Sequence, residues 1–363
     1  MWTSRTAFTA IAVAVLATAC GGGGDDGTPV PQGPTLVRIS AANQDSVARA
    51  STASIVVFTG VPAFASSPSP GLAKAAQVGS ASALSGHGGL AQLVLRAVDF
   101  GAQQTVSPPT GMARPLAQLP PETFFCSVSG SFTTTVDDKD NSKTLTVGDS
   151  ASISFNQCDE GDGPVNGGMG LAIATYTETQ TALDLTGSAT FQSLAMLVAG
   201  ESFTLNGGAS FQFTVTMMAD SGIEALGSFT VASSGLTAVK QGGTTGLSDT
   251  FSYRAGFGVS VRDFAATVQG VPSSESITAS GGFGSQALGG DLRLSTTTSF
   301  KSVWTDPEGD IFPNEGQLLV SGADGTKLRL TATPTVQVLM EMSDDSDADW
   351  EYSKMVDWTW LLP

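Results

Sequence analysis

Glu201-Ser202-Phe203-Thr204-Leu205-Asn206-Gly207-Gly208-Ala209-Ser210-Phe211-Gln212-Phe213-Thr214-Val215-Thr216-Met217-Met218 decides the fold. Phe203, Leu205, Gly207, Ala209, Phe211, Phe213 and Val215 alternate with Ser202, Thr204, Asn206, Ser210, Gln212 and Thr214. A period of two belongs to a strand with one apolar and one polar face. Asn206-Gly207 is a favoured hairpin dipeptide. The apolar odd positions nevertheless pass through it without a change of phase, so the stretch predicts one long strand bent at Gly207. Upstream, Leu183, Leu185, Gly187, Ala189 and Phe191 repeat the pattern within Thr181–Val198.

Working outward, turns fall at Ala199-Gly200, Asp220-Ser221-Gly222 and Gln241-Gly242-Gly243, and apolar residues keep odd numbers from Leu183 to Val259. Antiparallel partners share a face, so constant parity predicts loops with an odd number of residues. The strands then reach roughly 17 residues, beyond the usual ~3–10. Gly167, Gly187, Gly207 and Gly227 recur at a constant spacing, with Gly246 following one residue short of it. Further on, Leu318, Val320, Leu328 and Leu330 flank Gly322-Ala323-Asp324-Gly325, and Val338, Met340 and Met342 precede a hairpin to Trp350, Tyr352, Val356, Trp358 and Trp360. The fold predicted for residues 122–363 is mainly β, a long-stranded antiparallel meander that coils or closes in a barrel-like way.

Residues 35–121 are rich in Ala, Ser and Pro and read as partly helical. Ser40 is placed to cap a helix over residues 41–50, with Asp45 near its positive end. Leu90, Leu93, Val94 and Val98 recur at helical spacing after Ser85.

Residues 1–19 read as a signal peptide. Arg5 supplies the positive start, Ala7 to Leu16 a short apolar run, and Ala17-Thr18-Ala19 small residues for cleavage. The apolar run is shorter than the ~20 residues that span a bilayer. Leu16-Ala17-Thr18-Ala19-Cys20 resembles the lipobox of bacterial lipoproteins, which implies that Cys20 is lipidated and anchors the chain. Gly21 is similar to the residue that follows the cysteine in lipoproteins of the Gram-negative outer membrane. Ordinary secretion after the same Ala-x-Ala is the alternative. Residues 20–34 form a Gly- and Pro-rich tether. There are three cysteines. With Cys20 given to lipid, Cys126 and Cys158 remain as a disulfide pair in an oxidising compartment. Two buried free thiols are the alternative.

Charge and chemistry exclude more than they assign. Sixteen basic against 33 acidic residues give a net charge of −17, which argues against nucleic acid as a partner. The single histidine, His87, removes most triad and metal-hydrolase chemistry. Gly148-Asp149-Ser150 matches the opening of GDS-type hydrolases, but no histidine follows it. Asp220-Ser221-Gly222 matches an aspartic-protease triplet without a second copy, and a turn explains it. Asp137 to Ser142 and Asp344 to Glu351 place oxygens at alternate positions, as calcium loops do. In the second loop Asp345, Asp347 and Asp349 are the weak calcium candidates, although Trp350 stands where calcium loops carry glycine.

Cys126-Ser127-Val128-Ser129-Gly130-Ser131, Gly148-Asp149-Ser150, Phe155-Asn156-Gln157-Cys158 and Asn166-Gly167 together resemble a group of uncharacterised Gram-negative lipoproteins with the order C-x-x-x-GS, GDS, F-x-x-C, NG. The resemblance implies an outer-membrane lipoprotein and brings no known activity. The expectation is a non-enzymatic cell-envelope lipoprotein, attached to the membrane through its lipid. Its β domain would be structural or would bind an apolar ligand or envelope component on its inner face. The alternatives are an outer-membrane β-barrel and an enzyme of unrecognised class.

Overall fold

The computed structural model describes residues 35–59, the helical positions Leu90, Leu93, Val94, Ala97 and Val98, and residues 117–361 apart from short breaks. The signal peptide, Cys20, the tether, His87 and the Asp220-Ser221-Gly222 triplet lie outside the described residues. The protein is mainly β, with 67% strand and 12% helix among the described residues. The predicted fold class is the observed one.

Helix α1 (Gln44–Thr59) comes first. The strands follow as β1 (Ala117–Gln118), β2 (Glu122–Phe125), β3 (Ser129–Asp138), β4 (Ser150–Asp159) and β5 (Val165–Glu178). Then come β6 (Ala182–Val198), β7 (Glu201–Met217), β8 (Ile223–Gln241), β9 (Asp249–Tyr253) and β10 (Gly258–Ala266). The last are β11 (Val271–Ser285), β12 (Gly290–Val303), β13 (Glu315–Ser321), β14 (Lys327–Ala332), β15 (Gln337–Ser343) and β16 (Tyr352–Asp357), with a helical turn Trp358–Leu361 closing the chain. All strands join one antiparallel sheet in chain order. Two lanes are broken: β1 and β2 both pair with β3, and β9 and β10 both lie between β8 and β11.

Strand β7 runs unbroken through Asn206-Gly207, as its phase predicts. Gly207 has φ +121°, and a Cβ there would run into the Gly235 carbonyl and stand 2.8 Å from the Leu236 Cα. Only glycine fits this bend.

The loop-parity expectation holds between β7 and β8, where Met217 pairs with Ile223 across five residues, but is corrected between β6 and β7. Val198 pairs directly with Glu201, so the turn at Ala199-Gly200 has an even length. The odd residue sits inside β6 instead. Phe191 faces Gly207 and Leu194 faces Leu205, which leaves Gln192 and Ser193 opposite Asn206 alone. Ser193 takes φ +47°, and its N–H donates to Asn206 Oδ1 at 2.8 Å. Beyond this bulge the buried positions of β6 become even: Leu194, Met196 and Val198. Strand β8 repeats the device. Ala209 faces Val231 but Gly207 faces Leu236, and burial passes from Phe229 and Val231 to Leu236, Ala238 and Lys240. A bulge restores inward phase as a loop residue would, and it adds bend and twist.

Helix α1 starts later and ends later than its sequence suggests. The Ser40 carbonyl accepts the N–H groups of Asn43 and Gln44, and Asn43 Oδ1 accepts the Ser40 N–H at 2.8 Å, so residues 41–43 are a turn. The helix then continues to Thr59 through Ser51-Thr52-Ala53-Ser54-Ile55-Val56-Val57-Phe58, a run rich in poor helix formers. Burial overrides propensity there. Every residue from Ala50 to Thr59 is buried, which requires cover on all sides. One side meets the sheet: Phe58 packs against Phe229, Tyr253 and Phe257 with centroids 6.3, 5.1 and 5.6 Å away, and the Tyr253 hydroxyl donates to the Ser54 carbonyl at 2.9 Å. Another side meets the chain end. Thr52 Oγ1 donates to the Leu361 carbonyl at 2.9 Å, Arg49 lies over the Trp360 ring, and Lys354 pairs with Asp45.

The sheet therefore curls around α1, with Phe203, Phe213, Phe251 and Phe283 on its inner face. Leu90, Leu93, Val94 and Ala97 join the same core from a second helical segment, at the spacing that predicts it. No ladder among the described residues joins β1 or β2 to β16.

Candidate functional site

Three groups of charged side chains stand out, and each is shaped by a hairpin. In the β3–β4 loop, Gly148 takes φ +93° and turns the chain so that Asp149 points back into the loop. Its buried carboxylate accepts the N–H groups of Lys139 at 2.9 Å and Thr146 at 2.7 Å, and lies 3.0 Å from the Thr146 hydroxyl. The Asp149 main chain is tied sideways, since the Ile173 N–H donates to its carbonyl at 2.9 Å. Asp149 of the Gly-Asp-Ser motif is thus a loop brace, while Ser150 opens β4 opposite Asp137. Carboxylate oxygens of Asp138, Asp140 and Asp149 lie within 4.8 Å of one another. Hard oxygen ligands of this kind suit calcium or magnesium, but two oxygens of Asp149 are already engaged by the loop.

The β15–β16 hairpin holds the sequence-predicted calcium candidates Asp345, Asp347 and Asp349, with the Asp347 carboxylate between the other two. The Asp347 N–H donates to Asp345 Oδ1 and the Asp349 N–H to Asp347 Oδ1, each at 2.9 Å. These are successive side-chain-to-backbone turns, in which each carboxylate caps the amide two residues on. The oxygens that do converge, within 4.8 Å, belong to Asp344, Asp345 and Glu351. The Asp344 N–H donates to Glu351 Oε2 at 3.1 Å. At Asp347 the Asp349 amide favours the charged carboxylate, but desolvation and the neighbouring Asp345 and Asp349 charges outweigh it and raise the carboxyl above its usual range. Any calcium-dependent rise in melting temperature should therefore survive Asp349→Asn and be lost in Glu351→Gln. Calorimetry in chelator and in millimolar calcium checks this. Loss in the first variant alone would restore the alternating ligand set.

The third group was missed from the sequence. Glu201 and Lys240 are both buried, with Nζ 3.8 Å from Oε1. Asp249 stands directly across from Lys240 on β9. Burial lowers the Lys240 pKa, against the carboxylates of Glu201 and Asp249, which raise it. Glu201 was legible, because it holds the same odd phase as Phe203 and Leu205. Lys240 was not, because it turns inward only after the β8 bulge. The pair joins the starts and ends of adjacent strands inside the core, where separating it would strand a charge.

Cys126 and Cys158 form a disulfide with Cα atoms 5.4 Å apart. It ties the turn before β3 to the end of β4. The outward positions of β6 and β7 are mostly polar: Asp184, Thr190, Gln192, Asn206, Ser210 and Gln212 are exposed, with Leu197 the apolar exception on β6. No helix of the described residues is long and apolar enough to cross a membrane. Comparison with protein-family models, with curated proteins and with solved structures finds no match.

Proposed function

We propose that the protein is a lipid-anchored component of the Gram-negative cell envelope, with a β domain that acts as a non-catalytic scaffold. The supporting observation is the cysteine pairing. Cys126 and Cys158 are bonded to each other, which fits an oxidising compartment and leaves Cys20, after a cleavable apolar segment, for the lipid. The inner face expected to take an apolar ligand is filled by α1 and its Phe58, which favours a structural role. The exposed hydroxyl and amide face of β6 and β7 argues against the outer-membrane barrel, whose lipid-facing positions are apolar.

Metabolic palmitate labelling tests the anchor. Label should enter the wild-type chain and be absent from Cys20→Ser. Label that persists in the variant overturns the proposal.

A further inference from the structure

The register gives the sheet two rims. One carries the β2–β3, β4–β5, β6–β7, β11–β12, β13–β14 and β15–β16 connections, because each of these strand pairs meets there in the antiparallel ladder. The chain also enters the domain at this rim. The Asp291 N–H donates to the Thr35 carbonyl, the Val37 N–H to the Asp291 carbonyl, and the Ala323 N–H to the Val37 carbonyl, at 2.9, 2.9 and 2.8 Å. Asp291 opens β12 and Ala323 lies in the β13–β14 connection.

The same rim carries the two most exposed large apolar side chains among the described residues, Phe125 at 87% and Val128 at 65%. A single exposed apolar residue is ordinary. These two flank a braced turn: Cys126 between them is bonded to Cys158, its N–H donates to the Gly130 carbonyl at 3.2 Å, and the Val128 N–H donates to the Asp159 carbonyl at 3.0 Å. A stiff turn holding apolar side chains in water is pre-organised for an apolar partner.

We propose that this rim rests on a zwitterionic lipid surface, with Phe125 and Val128 entering the interface. The inference rests on the lipid anchor at Cys20. A tether of about 15 residues spans roughly 20 Å as a coil and at most about 50 Å extended. It ends at Thr35 on the rim that carries Phe125. An anchor so close turns weak apolar contact into an intramolecular event at high effective concentration. Charge selects the surface. Asp159, Asp324, Asp344, Asp345, Asp347 and Asp349 all stand at this rim, so anionic headgroups are repelled and neutral ones are accepted.

The test uses the chain from Cys20 onward, which keeps the whole compact unit Pro34–Pro363. With the disulfide formed, Cys20 is its one free thiol and is coupled to a maleimide lipid in phosphatidylcholine vesicles. Hydroxyl-radical oxidation read by mass spectrometry should fall several-fold at Phe125 on the vesicle relative to solution. Val147, in the β3–β4 loop at the opposite rim and 59% exposed, should be unchanged. Adding phosphatidylglycerol at low salt should restore oxidation at Phe125, and in Phe125→Ser the protection of Val128 should disappear. Equal oxidation of Phe125 in solution and on the vesicle, or protection at Val147 instead, overturns the proposal. Because the coupling is synthetic, this outcome is independent of the palmitate result.

Discussion

Phe58→Ala is expected to destabilise the protein by about 3–5 kcal/mol, the usual cost of truncating a fully enclosed aromatic side chain. The ring is 1% exposed. It stands edge-on to Tyr253 and tilted against Phe229 and Phe257, so three other rings lose a partner when it is removed. Collapse into the space is hindered, because the surrounding rings belong to β8, β9 and the turn before β10, which are held in register by their ladders. The variant should also loosen the Tyr253 hydroxyl bond to the Ser54 carbonyl, since α1 loses the contact that seats it. Denaturant unfolding measures the first effect. A loss under 1 kcal/mol would mean that α1 is not enclosed by the sheet.

Removing the disulfide comes next in size. Cys126 and Cys158 are 32 residues apart in sequence, and closing such a loop restricts the unfolded chain by roughly 3–4 kcal/mol in the chain-entropy model. The double variant Cys126→Ala/Cys158→Ala should lose that amount at equilibrium. Thiol titration of the unfolded, unreduced chain from Cys20 onward should find one thiol. Three would exclude the bridge, and an unchanged midpoint in the double variant would show that it adds no stability.

The strands were legible because their evidence is local. Alternation in β6 and β7 states both the element and its buried face, and Gly207 is marked as a bend because the phase runs through it. Phase accounting failed where two devices give the same pattern. An odd loop and a strand bulge both flip parity, and nothing local distinguishes Gln192-Ser193 as a bulge from an extra residue in the Ala199-Gly200 turn. The extent of α1 was hidden for the opposite reason. Apart from Ala53, Ser51 to Thr59 are weak helix formers in isolation, and burial against the sheet favours their helical state. The acidic hairpin shows the limit for sites. Spacing places Asp345, Asp347 and Asp349 on alternate positions, but backbone amides claim the first two carboxylates.

The hydrogen bond from Thr52 to the Leu361 carbonyl joins groups 309 residues apart. Neighbouring strands of a meander form from local contacts and assemble quickly. The helix they enclose is different: it precedes every strand of the described residues, yet one of its partners, Leu361, follows all of them. Its apolar surface must stay shielded from wrong contacts until every strand is present, which makes it the segment most exposed to aggregation on the way to the native state. The helix can be fully enclosed only after the last described strand has been made.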